Sequence, residues 1–295
     1  MQPDTASSGA IYDLGYRGYE GLRLGRRAAV WALFVASLRQ IFGLGRPGRA
    51  KVVPFGALAL ISLPAVIQSA VVATAGSVAA RSGLTYDSYL FNMSIIAVFF
   101  TAAQAPELLG GDQRHHVLAL YFAHALERVD YAVAKAGAMF VGLLVLTVIP
   151  VLILFVGLTF GATDLFASFR EQLSALPSIF VTGALYALIY GVIGLAIAAF
   201  TPRRAYATAA IVAVFLIGMG LQGLLRRASA GLGDSPVLLG ATSIAEGVRH
   251  ALFGGNANGP VANASLPNIA YYAAAAAVVV VGFAIYLWRY QRIQA

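Results

Sequence analysis

Histidines in this chain collect in one stretch, beside a charged cluster. Residues 107–135, ELLGGDQRHHVLALYFAHALERVDYAVAK, hold His115, His116 and His124, three of the four histidines, and the charged group Glu127, Arg128 and Asp130. Three histidines invite a metal reading. Yet residues 115 and 116 point apart on a helix, and the chain has no cysteine to add a thiolate. No metal is expected, and the histidines read as polar residues of a docking element. A second candidate is the run 43–51, GLGRPGRAK, which has the glycine content of a phosphate loop. Arg49 and Ala50 stand where that loop needs Lys and Ser or Thr, so the run reads as a basic turn. No Ser–His pair is placed for hydrolysis inside a membrane. No Asp, Glu, Lys, Arg or His falls in the middle third of any long apolar run, which argues against proton-coupled transport. No catalytic residue and no cofactor is therefore assigned to this chain. Any work against a gradient has to draw its energy from another one.

The elements that position this stretch are membrane spans. Hydrophobic residues make up 60% of the 295 and charged residues 11%, with a mean hydropathy of +0.79, whereas soluble domains carry about 25% charged residues. A spanning helix needs about 20 apolar residues. Charge-free windows of that order predict an all-α integral membrane fold with six transmembrane helices, at about 52–75, 88–106, 131–160, 178–200, 205–225 and 268–288. Residues 1–25 form a polar cytoplasmic segment without the apolar core of a signal peptide. Residues 26–295 form one transmembrane domain. Within it, residues 26–44 have too short an apolar stretch to span before Arg39. Trp31, Phe34, Val35, Leu38 and Phe42 give an apolar face, so an amphipathic helix lying flat in the inner interface is expected.

Orientation follows from the cations. With the N-terminus inside, fifteen of the 20 Lys and Arg residues fall on the cytoplasmic side. Both termini and the 107–135 loop are then cytoplasmic, in a multi-pass cell-membrane protein. The net charge of +8 is a topology signal, and no soluble basic domain exists to bind nucleic acid. Arginine outnumbers lysine by 18 to 2, which suggests a GC-rich bacterial genome.

Inside this frame, Gly110 and Gly111 read as a hinge. Asp112 reads as the N-cap of a short cytoplasmic helix over 112–126. Val117, Leu120, Tyr121 and His124 are expected on one side of it, as an apolar knob for a partner protein. Four polar residues within or beside spans, Asn92, Ser94, Tyr186 and Gln222, are candidates for lining a path. Helix–helix hydrogen bonding is an equal alternative for each. The long outer segment 226–267 offers helix starts at Ser235-Pro236 and at Ser243 with Glu246. Leu239, Ala245, Val248 and Leu252 are expected to form its apolar side, with Glu246, Arg249 and His250 polar and Gly254 ending it. Such a helix at the outer surface would cap or gate the path or dip into the outer leaflet, and a helix that merely covers the tops of the spans is an equal alternative.

The order of these parts resembles the ABC-2 type membrane subunits of bacterial ABC transporters, the permease chains that work with a separate ATPase. Val117-Leu118-Ala119-Leu120 and Arg128-Val129-Asp130-Tyr131 with Lys135 stand where members carry their cytoplasmic-loop pattern. Tyr12-Asp13-Leu14-Gly15-Tyr16-Arg17 and residues 22–27 look like the openings of some members. The resemblance covers the whole chain. It implies a dimer of permeases with two ATPase copies, ATP and Mg2+ residing in the partner. The helix at 26–44 would be the connecting helix and the one at 112–126 the coupling helix. Asp112, Arg114, His115, Val117, Leu118, Leu120, Tyr121, His124, Glu127 and Arg128 would face the ATPase. Alternating access would then export a hydrophobic or amphipathic compound. The same spans would also serve a membrane scaffold or assembly factor, or a permease resembling those that serve copper-enzyme maturation.

Overall fold

A computed structural model describes residues 24–75, 85–115, 117–123, 126–161, 165–228 and 233–292. The described residues form helices and connecting turns, with no strand among them. In chain order the α-helices are α1 (Gly25–Ile41), α2 (Arg49–Ala75), α3 (Tyr86–Asn92), α4 (Ser94–Arg114) and α5 (Leu118–Phe122). They continue with α6 (Arg128–Phe160), α7 (Leu165–Leu173), α8 (Leu176–Phe200), α9 (Arg204–Ala228), α10 (Ala241–Phe253) and α11 (Asn268–Arg292). Six of them, α2, α4, α6, α8, α9 and α11, are long and apolar enough to cross a membrane. Helix is the state such runs adopt there, because lipid offers no partner for backbone N–H and C=O groups. Pro54, Pro64, Pro106 and Pro150 lie inside spans that continue past them.

Close contacts between the helices fix their directions. Ser69 and Val72 of α2 pack in order against Gly157 and Gly161 of α6, so these two run parallel. Gly183 and Gly191 of α8 meet Val148 and then Leu143, so α8 runs against α6. Gly194 faces Thr101 and Pro202 faces Gly110, which sets α4 parallel to α8. Gly282 lies on Val192 and Arg289 donates to the Ala199 carbonyl, which sets α11 parallel to them. Thr208 donates to the Ala102 carbonyl at 2.8 Å while Arg204 pairs with Glu107, so α9 runs against α4. The six long helices alternate in direction. One end of the bundle carries both described termini and most of the cations; we call it the basic end and its opposite the far end. Glycine makes several of these crossings possible. A Cβ on Gly157 would stand 1.8 Å from the Ser69 hydroxyl oxygen, a gap only a bare Cα tolerates.

Four expectations need correction. The hinge at Gly110–Gly111 is absent, because α4 continues through both to Arg114. Gly110 serves packing instead, since a Cβ there would stand 3.3 Å from the Pro202 carbonyl. The second span is not one helix from 88, because it divides at Met93 into α3 and α4. The helix expected over 112–126 shrinks to α5, five residues long, and Asp112 belongs to the last turn of α4. The N-terminal helix does not lie flat. Arg26 pairs with Asp130, Phe34 packs on Gly137 and Ile41 on Gly142, in that order, so α1 runs alongside the first half of α6. Its inward stripe is Leu33, Ser37 and Ile41, four residues apart on one face, while Trp31 is 65% exposed.

The outer segment differs most. The 3-10 turn Ser235–Leu239 and Gly240 descend between the spans until the Leu239 carbonyl and Gly240 lie against Gly218 of α9. Gly218 is ten residues below the end of α9 at Ala228, a depth of about 15 Å at 1.5 Å per residue. Helix α10 then climbs back out, buried continuously from Thr242 to Arg249. The segment is re-entrant, not a cap on a flexible tether. Gly240 is its N-cap, and the Ser243 hydroxyl bonds Gln222, so no capping box forms with Glu246. Glu246 and Arg249 face inward, and Leu239 and Leu252 are exposed. The helix does end at Gly254, whose φ of 68° suits a residue without Cβ.

Candidate functional site

At the basic end, the loop between α4 and α6 is built around Tyr131. Tyr121 and Phe122 of α5 lie against its ring with centroids 5.8 and 6.1 Å away, and Tyr290 of α11 packs at 5.2 Å. Burial raises the Tyr121 phenol above its ordinary pKa, and the nearby Asp112 carboxylate adds to the effect. The Tyr131 hydroxyl donates to Asp112 at 2.8 Å. Lys135, almost fully buried, pairs with the same carboxylate at 2.8 Å and donates to the Leu108 carbonyl at 3.0 Å. Glu127 starts α6 with a capping box, its backbone N–H held by Asp130 at 3.0 Å, and Arg26 bridges both carboxylates. Hydrogen bonds to these acids hold the Arg26 guanidinium above its ordinary pKa.

The ten residues expected to face a partner are thus divided. Leu118 is buried as the anchor of α5 and Val117 is half-buried, while Arg114, His115, Glu127 and Arg128 are exposed. Leu120 projects outward, 67% exposed. Tyr121 does not share its face, since its ring is spent on Tyr131. Asp112 is tied to Lys135, and Arg128 donates to the Gln291 carbonyl at 2.7 Å. His124 lies outside the described residues, as does His116. The exposed residues in and around α5 are Ala119, Leu120 and Ala123, with Arg114 and His115 exposed at the end of α4.

The four polar span residues are also sorted. Tyr186 packs on Tyr190 at 5.6 Å, and the Tyr190 hydroxyl meets Thr242 of α10 at 2.7 Å. Gln222 accepts from Ser243 at 2.9 Å. Gln222 therefore lies at the buried tip of the re-entrant segment as a hydrogen-bond link between helices, while the Tyr186 hydroxyl is buried with no hydrogen-bond partner among the described residues. Ser94, buried at the start of α4, lies within hydrogen-bonding reach of the same Tyr190 hydroxyl, and Asn92 is exposed at the end of α3.

Two charged groups were not foreseen. At the far end, Arg249 is 1% exposed and all five of its N–H donors are used. They reach both oxygens of Glu246 (2.8 and 3.0 Å), Asp87 (3.0 Å) and the carbonyls of Gly254 (3.1 Å) and Asn256 (2.6 Å). Glu246 also accepts from the backbone and side chain of Asn258 at 2.9 and 2.8 Å. At the basic end, Glu107 holds Arg46 at 2.6 Å with one oxygen and Arg204 at 2.9 Å with the other, and Gln40 donates to its carbonyl at 2.7 Å. The three-residue spacing of Glu246 and Arg249 on one helix was the available signal. Nothing in the spacing of Asp87, Glu107 or Arg204 pointed to their partners.

Among the described residues the fold is all-helical, with six helices long and apolar enough to cross a membrane. Compared with known proteins, the chain matches no family model and no curated protein.

Proposed function

We propose that the chain is the permease subunit of an ATP-driven ABC transporter of the ABC-2 type. Two copies form the path, and each docks a separate ATPase that binds ATP and Mg2+. The observation that supports this most is α5. It is a five-residue helix between the second and third spans, anchored inward by Leu118 and Tyr121 and presenting Leu120 to solvent. A loop that only joined α4 to α6 would gain nothing from exposing a leucine on a rigid mount. With the basic end in the cytoplasm, as the excess of cations there implies, Leu120 meets the compartment that holds ATP. The mount matters because motion must pass from the ATPase to rigid elements. Aromatic packing on Tyr131 joins α5 to α6 and α11, and the Asp112–Lys135 pair joins α4 to α6. Helices α4 and α6 would carry closure of the ATPases into the membrane, and export of an amphipathic compound of the bacterial cell membrane would follow.

The test is Leu120→Asp. Placing a charge in the buried contact forfeits about 1.5–3 kcal/mol of apolar burial, so the ATPase should no longer co-purify. Stability of the membrane domain should stay within about 0.5 kcal/mol, because the site is exposed in the free chain. Undiminished co-purification would remove α5 from the interface. Tyr121→Asp is not an equivalent test, since Tyr121 belongs to the packing around Tyr131.

A further inference from the structure

Two connected hollows open at the basic end between the turn after α1, the start of α2, α4 and the start of α9. The deeper, of about 210 Å3, is lined by Gln40, Arg46, Arg49, Gln104, Glu107 and Arg204, with Val53. The shallower, of about 490 Å3, shares Gln40, Arg46, Glu107 and Arg204 and runs down to Arg114 and His115, beside the mount of α5. Four arginines line this cleft against two carboxylates, Glu107 and Asp112. Asp112 is neutralised by Lys135, which leaves Glu107 as the counter-charge. Both arginines that Glu107 holds remain accessible, with side chains 41% and 54% exposed. At the deep end, the largely buried Gln104 adds an uncharged polar side chain to the lining. From Val53, an exposed apolar row continues up α2 through Leu60 and Ile67, seven residues apart and so on one face.

We infer that this cleft is the loading site for an anionic amphipath. Its acidic headgroup, a carboxylate or phosphate, sits between Arg46 and Arg204, and its alkyl chain lies along the Val53–Leu60–Ile67 row. Glu107 is the internal stand-in for that headgroup. It bridges the α1–α2 turn to α9 through α4, and an incoming acid that takes its two arginines frees these elements from one another. Guanidinium groups suit this exchange because they accept carboxylate or phosphate in the same forked geometry. The cleft also touches Arg114 and His115, so occupancy is felt at the base of the docking helix. This inference names the substrate class of the permease proposed above and rests on that reading for its transport consequence.

Binding can be measured without any ATPase. The purified full chain, in nanodiscs of phosphatidylcholine, is titrated with radiolabelled dodecyl phosphate. Saturable binding is expected, weakened by added salt because the arginines are partly exposed. Inorganic phosphate and the uncharged dodecyl maltoside should compete poorly, since each supplies only half of the ligand. Arg46→Gln combined with Arg204→Gln should lower affinity by about tenfold or more. Glu107→Gln should raise it, because the stand-in no longer competes for the two arginines. A merely structural Glu107 would not give that gain. Equal competition by dodecyl maltoside, equal competition by inorganic phosphate, or unchanged or weaker binding in Glu107→Gln would each overturn the inference. If the double variant fails to fold, Glu107→Gln and the salt series still decide. Binding that behaves as expected while Leu120→Asp leaves ATPase co-purification intact would uphold the site and count against the docking role.

Discussion

Arg249 and Arg204 both answer a glutamate, at opposite ends of the same bundle, and the two are held in very different ways. Arg249 is sealed in, with every N–H placed on a carboxylate or carbonyl and its partner Glu246 fully buried. Arg204 is half exposed and shares Glu107 with Arg46, which is half exposed as well. A buried pair stripped of one member leaves a charge with nowhere to go, at a cost of about 3–5 kcal/mol. An exposed pair is replaced by water at a cost of about 0.2–1 kcal/mol. The far end is therefore built to stay as it is, and the basic end to exchange partners. This division suits the transporter proposed above, which would be driven from its basic end.

The comparison breaks most readily at Arg249. Arg249→Met should lower unfolding stability by about 3–5 kcal/mol, read from denaturant titration in mixed micelles. Adding Glu246→Gln and Asp87→Asn should recover part of the loss, because the orphaned charges go with it. A loss under about 1 kcal/mol would mean that the far end is no more fixed than a surface pair. Lys135→Met tests the intermediate case, a buried cation facing an Asp112 that keeps some solvent. It should cost about 1–3 kcal/mol, and Asp112→Asn in the same chain should reduce that cost. Glu107→Gln should cost about 1 kcal/mol or less by the same titration. A larger loss would make the basic-end bridge structural and merge the two classes.

The smallest effect concerns pH. Asp234 accepts from the Ser265 backbone at 2.7 Å and from Arg226 at 2.8 Å. The Ser265 bond, then the guanidinium, holds its carboxyl below the ordinary aspartate pKa. A depressed folded-state value means that this contribution is present above the unfolded value of about 3.9 and is lost as pH falls through the folded one. Pepsin cleavage within 256–267 should separate wild type from Asp234→Asn at mildly acidic pH, and the two patterns should converge as pH falls further. Identical patterns throughout would show that the contact does not hold the loop.

How much of this was legible depended on what each residue had to say locally. The spans were, because an apolar run long enough to cross a bilayer leaves few choices. Residues 178–200 became Leu176–Phe200, and 131–160 became Arg128–Phe160. The re-entrant segment was not. Ser243, Glu246 and Arg249 look like the wet side of a surface helix, and only partners far away in sequence turn them inward. The α1 stripe failed for a related reason. Trp31 and Phe42 suggested a lipid-facing side, but the side that is covered depends on Gly137 and Gly142, about a hundred residues later. The loop between α4 and α6 was half legible. Leu120 stands out as expected, but the helix continuing through Gly110 and Gly111 took Asp112 away from its capping role, because close packing on Pro202 rewards a helical glycine there.

The pairing of α1 with α6 carries a consequence for how the chain is made. The Arg26–Asp130 contact joins residues 104 apart in sequence. At a synthesis rate of about 5–20 residues per second, α1 leaves the ribosome about 5–20 s before the surface it packs on exists. Through that interval the stripe Leu33, Ser37 and Ile41 has no protein to cover it, and the bilayer surface is the available shelter. Helix α1 therefore passes its first seconds as a peripheral element and takes its place beside α6 only after the third crossing is in.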